Sequence, residues 1–198
     1  NINDFPNIKK HFEHSKDILR EARIKYGTPD KLYFYLHRER DENFFKKGPK
    51  IVCGVRVVSP SFYYTEAEYY GSRALNFIKT ERVNLKYLTG LLNSHLAYFW
   101  LKNKGKQLGD LLQIDKAPLL NIPIHISKDK NQQKNIIDLV EKITALNTEL
   151  KKFHPILDEE EYKQKQKEIE RIDKKIDDEV YKIYGLTPEE IKIVENNG

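Results

Sequence analysis

Apolar residues are spaced in three different ways along this chain, and each spacing predicts a different kind of element. Between Ile8 and Ile24, the residues Ile8, Phe12, Ile18 and Leu19 stand among many charges at helical intervals, which predicts a mostly exposed amphipathic helix. Tyr26-Gly27-Thr28-Pro29 ends it, because glycine tolerates left-handed geometry and proline lacks an amide N–H. Next come LYFYL, KIVCGVRVV, SFYYT and ALNFI, runs rich in β-branched and aromatic residues and separated by Gly48-Pro49, Ser59-Pro60 and Gly71-Ser72. These predict strands joined by turns. Asn84 caps a helix whose Leu85, Leu88, Leu91, Leu92, Leu96 and Phe99 recur at three- and four-residue steps, and Gly105 stops it. The stretch from Gln107 to Ile126 contains Pro118 and Pro123 and reads as a loop, a short turn and a last strand, LNIPIHI, which its prolines confine to a sheet edge.

From about Asn131 the spacing changes again. Ile136, Leu139, Val140, Ile143, Leu146, Leu150 and Phe153 line one side of a long helix, and His154-Pro155 breaks it. A second long helix follows, with Tyr162, Ile169, Ile176 and Ile183 at a seven-residue step and Ile172 and Val180 between them, a coiled-coil-like seam that predicts antiparallel pairing with the first. Thr187-Pro188-Glu189-Glu190 combines a cap, a proline at the first helical position and a capping-box glutamate, so a short final helix is expected. The predicted fold class is α+β: a mixed β-sheet lobe with packed helices, followed by an antiparallel hairpin of long helices. The expected divisions are a linker helix over 1–26, the sheet lobe over 27–127 and the helical hairpin over 128–198.

Composition narrows the setting. Of 198 residues, 39% are hydrophobic and 33% charged, which fits a chain with much exposed helix. No run approaches the roughly 18 apolar residues of a bilayer span, and the start, NINDFPNIKK, lacks an export signal. A soluble, cytoplasmic protein with no membrane partner is expected. Cys53 is the sole cysteine, so no internal disulfide is available, and its place in the apolar run IVCGV predicts a buried bystander. The chain starts at Asn1 and has no methionine, and it is expected to be a piece of a longer polypeptide. A net charge of +5 and a pI near 9.0 favour a polyanionic partner.

The residues that carry chemistry elsewhere are missing or dispersed. There is no glycine-rich turn between a strand and a helix to hold a nucleotide-like cofactor, no Walker-type phosphate loop, and no cysteine pair or His-x-x-x-His spacing for zinc. His11, His14, His37, His95, His125 and His154 lie in different predicted elements. The densest ionisable stretch, His37-Arg38-Glu39-Arg40-Asp41-Glu42, could recruit Glu39 or Asp41 with Lys50 around a divalent ion as a nuclease does, but mixed-sign charges at a strand end ordinarily form solvated pairs. No catalytic centre is expected.

Basic and aromatic residues interleave in the first half: Arg38, Arg40, Lys46, Lys47, Lys50, Arg56 and Arg73 alternate with Phe44, Phe45, Phe62, Tyr63 and Tyr64. Cations neutralise phosphates and release counterions, while arginine and polar side chains read base edges, so this mixture suits a nucleic-acid face. Strand alternation puts Ile51, Cys53, Val55 and Val57 on one side and Arg56 with Val52, Gly54 and Val58 on the other. A charge in that company needs a partner, either an internal carboxylate or a DNA group. Lys102, Lys104 and Lys106 with Gln107 and Gln113 form a second cluster at a helix C-terminus, where cations also complement the dipole.

Three strings, GPKIVCGV, NLKYLTGLLNSHLAYFWLKNKGKQLGDLLQIDKAPLLNIPI and IDKKIDDEVYKIYGLTPEEIKIVE, together resemble the TaqI-like C-terminal specificity domain, the target-recognition region of adenine-specific DNA methyltransferases and fused type II restriction-modification enzymes. The resemblance runs over nearly the whole chain. Its most specific parts are Leu91-Leu92-Asn93-Ser94, the stretch from Gln113 to Ile124, and Tyr184-Gly185-Leu186-Thr187. It implies double-stranded DNA as partner and a methyltransferase domain upstream in the same polypeptide. That domain would use S-adenosylmethionine, with magnesium if the parent also cleaves DNA; the cofactor pocket is not expected within this chain. The candidate DNA contacts are Arg38, Arg40, Lys46, Lys47, Lys50, Arg56, Tyr63, Arg73, Lys104, Lys106, Gln107 and Gln113. The resemblance further implies core roles for Leu91, Leu92 and Leu96, local hydrogen bonding for Asn93 and Ser94, an edge strand at Pro123, and an inward seam of Ile169, Ile172, Ile176 and Val180. Two other readings stand beside it: a helical protein-interaction module that assembles through Ile172 and Ile176, and a self-contained metal-dependent nuclease.

Overall fold

The computed structural model describes residues 1–35 and 41–197 and divides into two compact units, residues 1–42 and 43–198. In the first unit the expected single helix is two, α1 (Pro6–Glu13) and α2 (Lys16–Lys25), broken at His14-Ser15. Ile8, Ile18 and Ile24 are exposed on them. Leu32 to Tyr35 do not form the expected strand. They lie in turns, with Tyr33, Phe34 and Tyr35 packed edge to face, and the described part of this unit holds no strand with which they could share a ladder.

In the second unit β1 (Lys50–Gly54) is the centre of an antiparallel sheet of order β3-β1-β4, with β3 at Phe62–Thr65 and β4 at Leu75–Ile78. Ile51, Cys53 and Phe62 point from one face into a core completed by Leu85, Leu88 and Leu92. Burial pushes the Cys53 thiol up to about 11, partly offset by Asn76, so the cysteine is an apolar filler here. The expected continuous strand from Lys50 to Val58 breaks after Gly54. Arg56–Val57 is a separate strand, β2, in a second antiparallel sheet of order β2-β6-β5, where β5 is Lys106–Leu108 and β6 is Leu111–Gln113.

The long leucine-rich helix is also divided, into α3 (Leu85–Asn93) and α4 (His95–Lys104). Asn84 caps the first through the Lys86 and Tyr87 N–H groups. Ser94 caps the second, accepting from Ala97 N–H while donating to the Leu91 carbonyl, the local role expected of it. Asn93 behaves differently from expectation: its amide spans 31 residues to accept from Phe62 N–H and donate to Phe62 C=O, both at 2.8 Å. A short helix, α5 (Lys116–Leu120), follows β6.

LNIPIHI is not an edge strand. Two tyrosine hydroxyls take the place of a ladder. Tyr184 Oη accepts from His125 N–H and donates to the Pro123 carbonyl, and Tyr87 Oη donates to the His125 carbonyl.

The two long helices are α6 (Lys130–Leu150) and α7 (Glu159–Tyr184), antiparallel, as the pairs Lys142–Glu168 and Lys165–Glu149 require. They are not a free-standing hairpin, because α6 also packs on α3. A Cβ on Gly90 would lie 2.4 Å from Ile136 Cγ2, so glycine is what lets these two helices approach. Tyr87, Leu91, Ile136, Val140, Ile176, Val180 and Ile183 form the resulting core, with Ile172 also buried and Ile169 half-buried. Ile172 and Ile176 are therefore interior residues of this unit and cannot serve as an exposed assembly seam. Helix α8 (Pro188–Asn197) starts with the expected reciprocal box, in which Glu190 accepts from Thr187 N–H and Thr187 Oγ1 from Glu190 N–H.

One polar tie joins α7 to the start of α4. Asp177 accepts from His95 N–H at 2.7 Å and meets His95 Nδ1 at 2.6 Å. Burial raises the Asp177 pKa even against those hydrogen bonds, and Asp173, one turn away in the cleft, is pushed up to about 6 by desolvation first and then by the Asp177 charge.

Two outcomes follow from this packing. Ile176→Ala removes a side chain only 3% exposed and should cost about 2–5 kcal/mol in urea denaturation. Asp173 ionises near 3.8 when unfolded and near 6 when folded, so its contribution to stability falls as pH rises through that window and is flat above it. Asp173→Asn should therefore raise the melting temperature relative to wild type more at pH 8 than at pH 4, and an equal difference at both would contradict the assignment.

Candidate nucleic-acid interface

The second sheet is linked to the first through Val55. Its N–H donates to the Ala74 carbonyl beside the first sheet at 2.8 Å, and its carbonyl accepts from Ile114 N–H at the end of the second at 2.7 Å. Asn76 Nδ2 adds a bond to the Ile114 carbonyl at 3.0 Å. Past this joint, Val57 and Leu112 face the core, while alternation puts Arg56, Gln113 and Lys106 on the other side. The register is direct: Arg56 stands opposite Gln113, and Gln113 opposite Lys106, making one row across all three strands. Arg56 and Lys106 are exposed and Gln113 is half-buried.

Arg56 finds neither an internal carboxylate nor a fully unpartnered setting. Its Nε donates to Gln113 Oε1 at 3.3 Å, and Gln113 Nε2 donates to Asp115 Oδ1 at 2.8 Å. Asp115 was invisible in the sequence as a site residue; only the pairing of β2 with β6 brings it into this chain of contacts. Arg73 is exposed in the turn before β4, one residue ahead of the Ala74 carbonyl that Val55 uses. Lys104, at the end of α4 two residues before Lys106, holds its Nζ 5.8 Å from the Trp100 ring centroid. Gln107 lies opposite Leu112 and so belongs to the other side of β5, although it is exposed.

The remaining candidates do not join this group. Lys46 and Lys47 are exposed in the loop before β1, at the opposite end of that strand from Arg56. Tyr63 is half-exposed on β3, on the sheet face away from the α3 core. Arg38 and Arg40 lie outside the described residues, as do His37 and Glu39 of the ionisable stretch. Lys50, expected to contact DNA, is not a surface cation. It is fully buried, its Nζ donating to the carbonyls of Lys46, Gly48 and Ala67 at 2.7–3.1 Å, and a lysine with all three N–H groups engaged inside cannot reach a phosphate. Desolvation, then the Lys79 charge, draws its pKa below the ordinary lysine value.

Charge separates along the second unit. Residues 43–127 hold 12 Lys and Arg against 5 Asp and Glu, whereas 128–198 hold 14 against 17. The row therefore sits on the electropositive part and the long helices carry the opposite sign. Among the described residues no three His, Cys, Asp or Glu side chains gather so as to hold a metal ion, and no helix is long and apolar enough to cross a membrane.

Comparison with known proteins bears on the same region. The family model of the TaqI-like C-terminal specificity domain matches residues 7–124, more than half of the chain and inclusive of the whole row. The chain belongs to this family. The specificity domain is 28% identical over 171 residues to the type II methyltransferase M.HincII of Haemophilus influenzae, covering 78% of this chain and 33% of that protein. It is 29% identical to the type II methyltransferase M.HindII of Haemophilus influenzae strain Rd, covering 78% of this chain and 32% of that protein. A solved structure, the type IIL restriction-modification enzyme MmeI in complex with DNA, superposes with a TM-score of 0.58 at 16% identity, covering 86% of this chain and 22% of that one, a likeness of fold. The specificity domain thus spans about a third of the length of the methyltransferases it matches.

Removing the internal lysine separates structure from binding. Lys50→Met leaves three carbonyls without their donor and should lower the melting temperature, while the salt dependence of DNA association stays that of wild type; a reduced salt slope would return Lys50 to the list of phosphate contacts.

Proposed function

We propose that this chain selects the target site of a type II restriction-modification methyltransferase by laying the β2-β6-β5 sheet into the major groove of double-stranded DNA. The observation that carries the reading is the row Arg56–Gln113–Lys106, solvent-facing on the electropositive half of a TaqI-like specificity domain. Arginine and glutamine match the hydrogen-bonding edges of bases, and a two-stranded ribbon such as β5–β6 fits a major groove about 12 Å wide. Arg73, Lys104, Lys46 and Lys47 supply phosphate contacts that fix position without reading sequence. Arg38 and Arg40 join them on the strength of their residue types alone. Tyr63 and Gln107 lie off the row and hold the flanks.

In this reading the lobe expected over 27–127 binds DNA and the hairpin expected over 128–198 supports it from behind, its coiled-coil-like seam closed inward. Chemistry resides in a methyltransferase domain upstream, where S-adenosylmethionine supplies the methyl group for an adenine amine. The setting is the cytoplasm, where the DNA is.

The test is electrostatic. The logarithm of the association constant for a duplex should fall linearly with the logarithm of salt, at about 0.9 per phosphate neutralised. Arg73→Ala and Lys104→Ala should each lower that slope by about 1. An association that ignores salt would reject the proposal.

A further inference from the structure

The contacts around Gln113 go beyond placing it on a DNA-facing row, because they decide which way its amide points. Four hydrogen-bonding valences belong to a glutamine amide: two lone pairs on Oε1 and two N–H groups on Nε2. One lone pair is taken by Arg56 Nε, and one N–H is given to Asp115 Oδ1. The two neighbours are of opposite kinds. A guanidinium can only donate and an ionised carboxylate can only accept. Rotating the amide by half a turn would point Nε2 at the guanidinium and Oε1 at the carboxylate, losing both bonds and setting like partners face to face. The backbone beneath is fixed as well, since Ile114 is tied to Val55 and to Asn76 on either side.

What remains free on Gln113 is one acceptor and one donor, side by side. That pair complements the major-groove edge of adenine, which offers the N6 amine as donor and N7 as acceptor. Arg56, with one of its five N–H groups used, keeps four on its two terminal nitrogens, and these complement O6 and N7 of guanine. Neighbouring strands are about 4.8 Å apart and neighbouring base pairs about 3.4 Å, so two side chains opposite each other in a sheet reach bases one step apart.

Building on the function proposed above, we propose that Arg56 and Gln113 read adjacent guanine and adenine bases as a unit, and that Asp115 is the positioning residue that holds the Gln113 amide in its adenine-reading orientation. Asp115 touches no base. Its part is to make the alternative orientation unfavourable, so that a side chain able to present either arrangement presents one. Lys106, third in the row, has donors only and adds charge without choosing between bases that offer acceptors.

The experiment is selection from a pool of DNA duplexes with a randomised centre, run at low salt with the whole chain and with variants whose circular dichroism matches wild type. Wild type should enrich a motif with adjacent G and A. Gln113→Ala should flatten the preference at the adenine alone by about ten- to a hundredfold, and Arg56→Ala the preference at the guanine. Asp115→Asn should weaken the adenine preference while the salt slope stays that of wild type. The double change Gln113→Glu with Asp115→Asn restores an internal donor–acceptor pair and leaves only acceptors outward, so it should move the preference from adenine to cytosine, whose N4 donates. A purely structural Gln113 would not move a base preference in this way. If the variants enrich the wild-type motif unchanged, this proposal falls while the DNA-binding reading stands; if wild type enriches no motif and binding is indifferent to salt, both fall.

Discussion

The architecture turns on the two backbone hydrogen bonds of Val55. By giving its N–H to Ala74 and its carbonyl to Ile114, one residue joins the two three-stranded sheets. The bend is tight: a Cβ on Gly54 would come within 2.6 Å of Val57 Cγ1. On one side of this joint, strand β1 is buried on both faces, against α3 and beneath the aromatic cluster of Phe45, Tyr70 and Phe77. On the other, the second sheet keeps only Val57 and Leu112 against the core and frees its polar side. Each bond contributes about 1 kcal/mol net to stability, so their importance lies in direction more than in strength. They aim the Arg56 row away from the protein.

Charge reinforces what the joint begins. The long helices spend many of their lysines on their own acids, as in Lys142–Glu168, Lys163–Glu159 and Lys182–Glu179, and keep a small acidic excess. The lobe ahead of them has few acids with which to pair. A polyanion approaching this unit meets attraction over the sheets and mild repulsion over the hairpin, which restricts the ways it can dock before any specific contact forms.

Much of this was legible in the chain because it rests on local periodicity. The antiparallel long helices, the Asn84 cap, the Thr187–Glu190 box and the strands β1, β3 and β4 all follow from patterns within a few residues. What was not legible depends on distant partners. Val55 and Val57 continue the alternation of KIVCGVRVV, so nothing nearby signals that the strand changes sheets; Ala74 and Ile114 decide it. LNIPIHI has the composition of a strand and lacks a neighbour to pair with, its backbone being satisfied by Tyr87 and Tyr184 instead. Lys50 shares its residue type with its basic neighbours, and what sets it apart is the three carbonyls around its ammonium. The candidate site divides the same way: residue types singled out Arg56, Lys106 and Gln113 separately, and only strand pairing set them side by side and brought in Asp115.

The Asn93 amide, bonded to both polar groups of Phe62, acts as a one-residue strand at the outer border of β3. It satisfies the outward backbone groups of Phe62, which an edge strand would otherwise offer to another chain. It also nails down the far end of the connection from β2 to β3 while Val55 holds the near end. Residues 58–61 between these anchors are mostly exposed and belong to neither sheet, so this connection is held at its two ends and not by a ladder of its own.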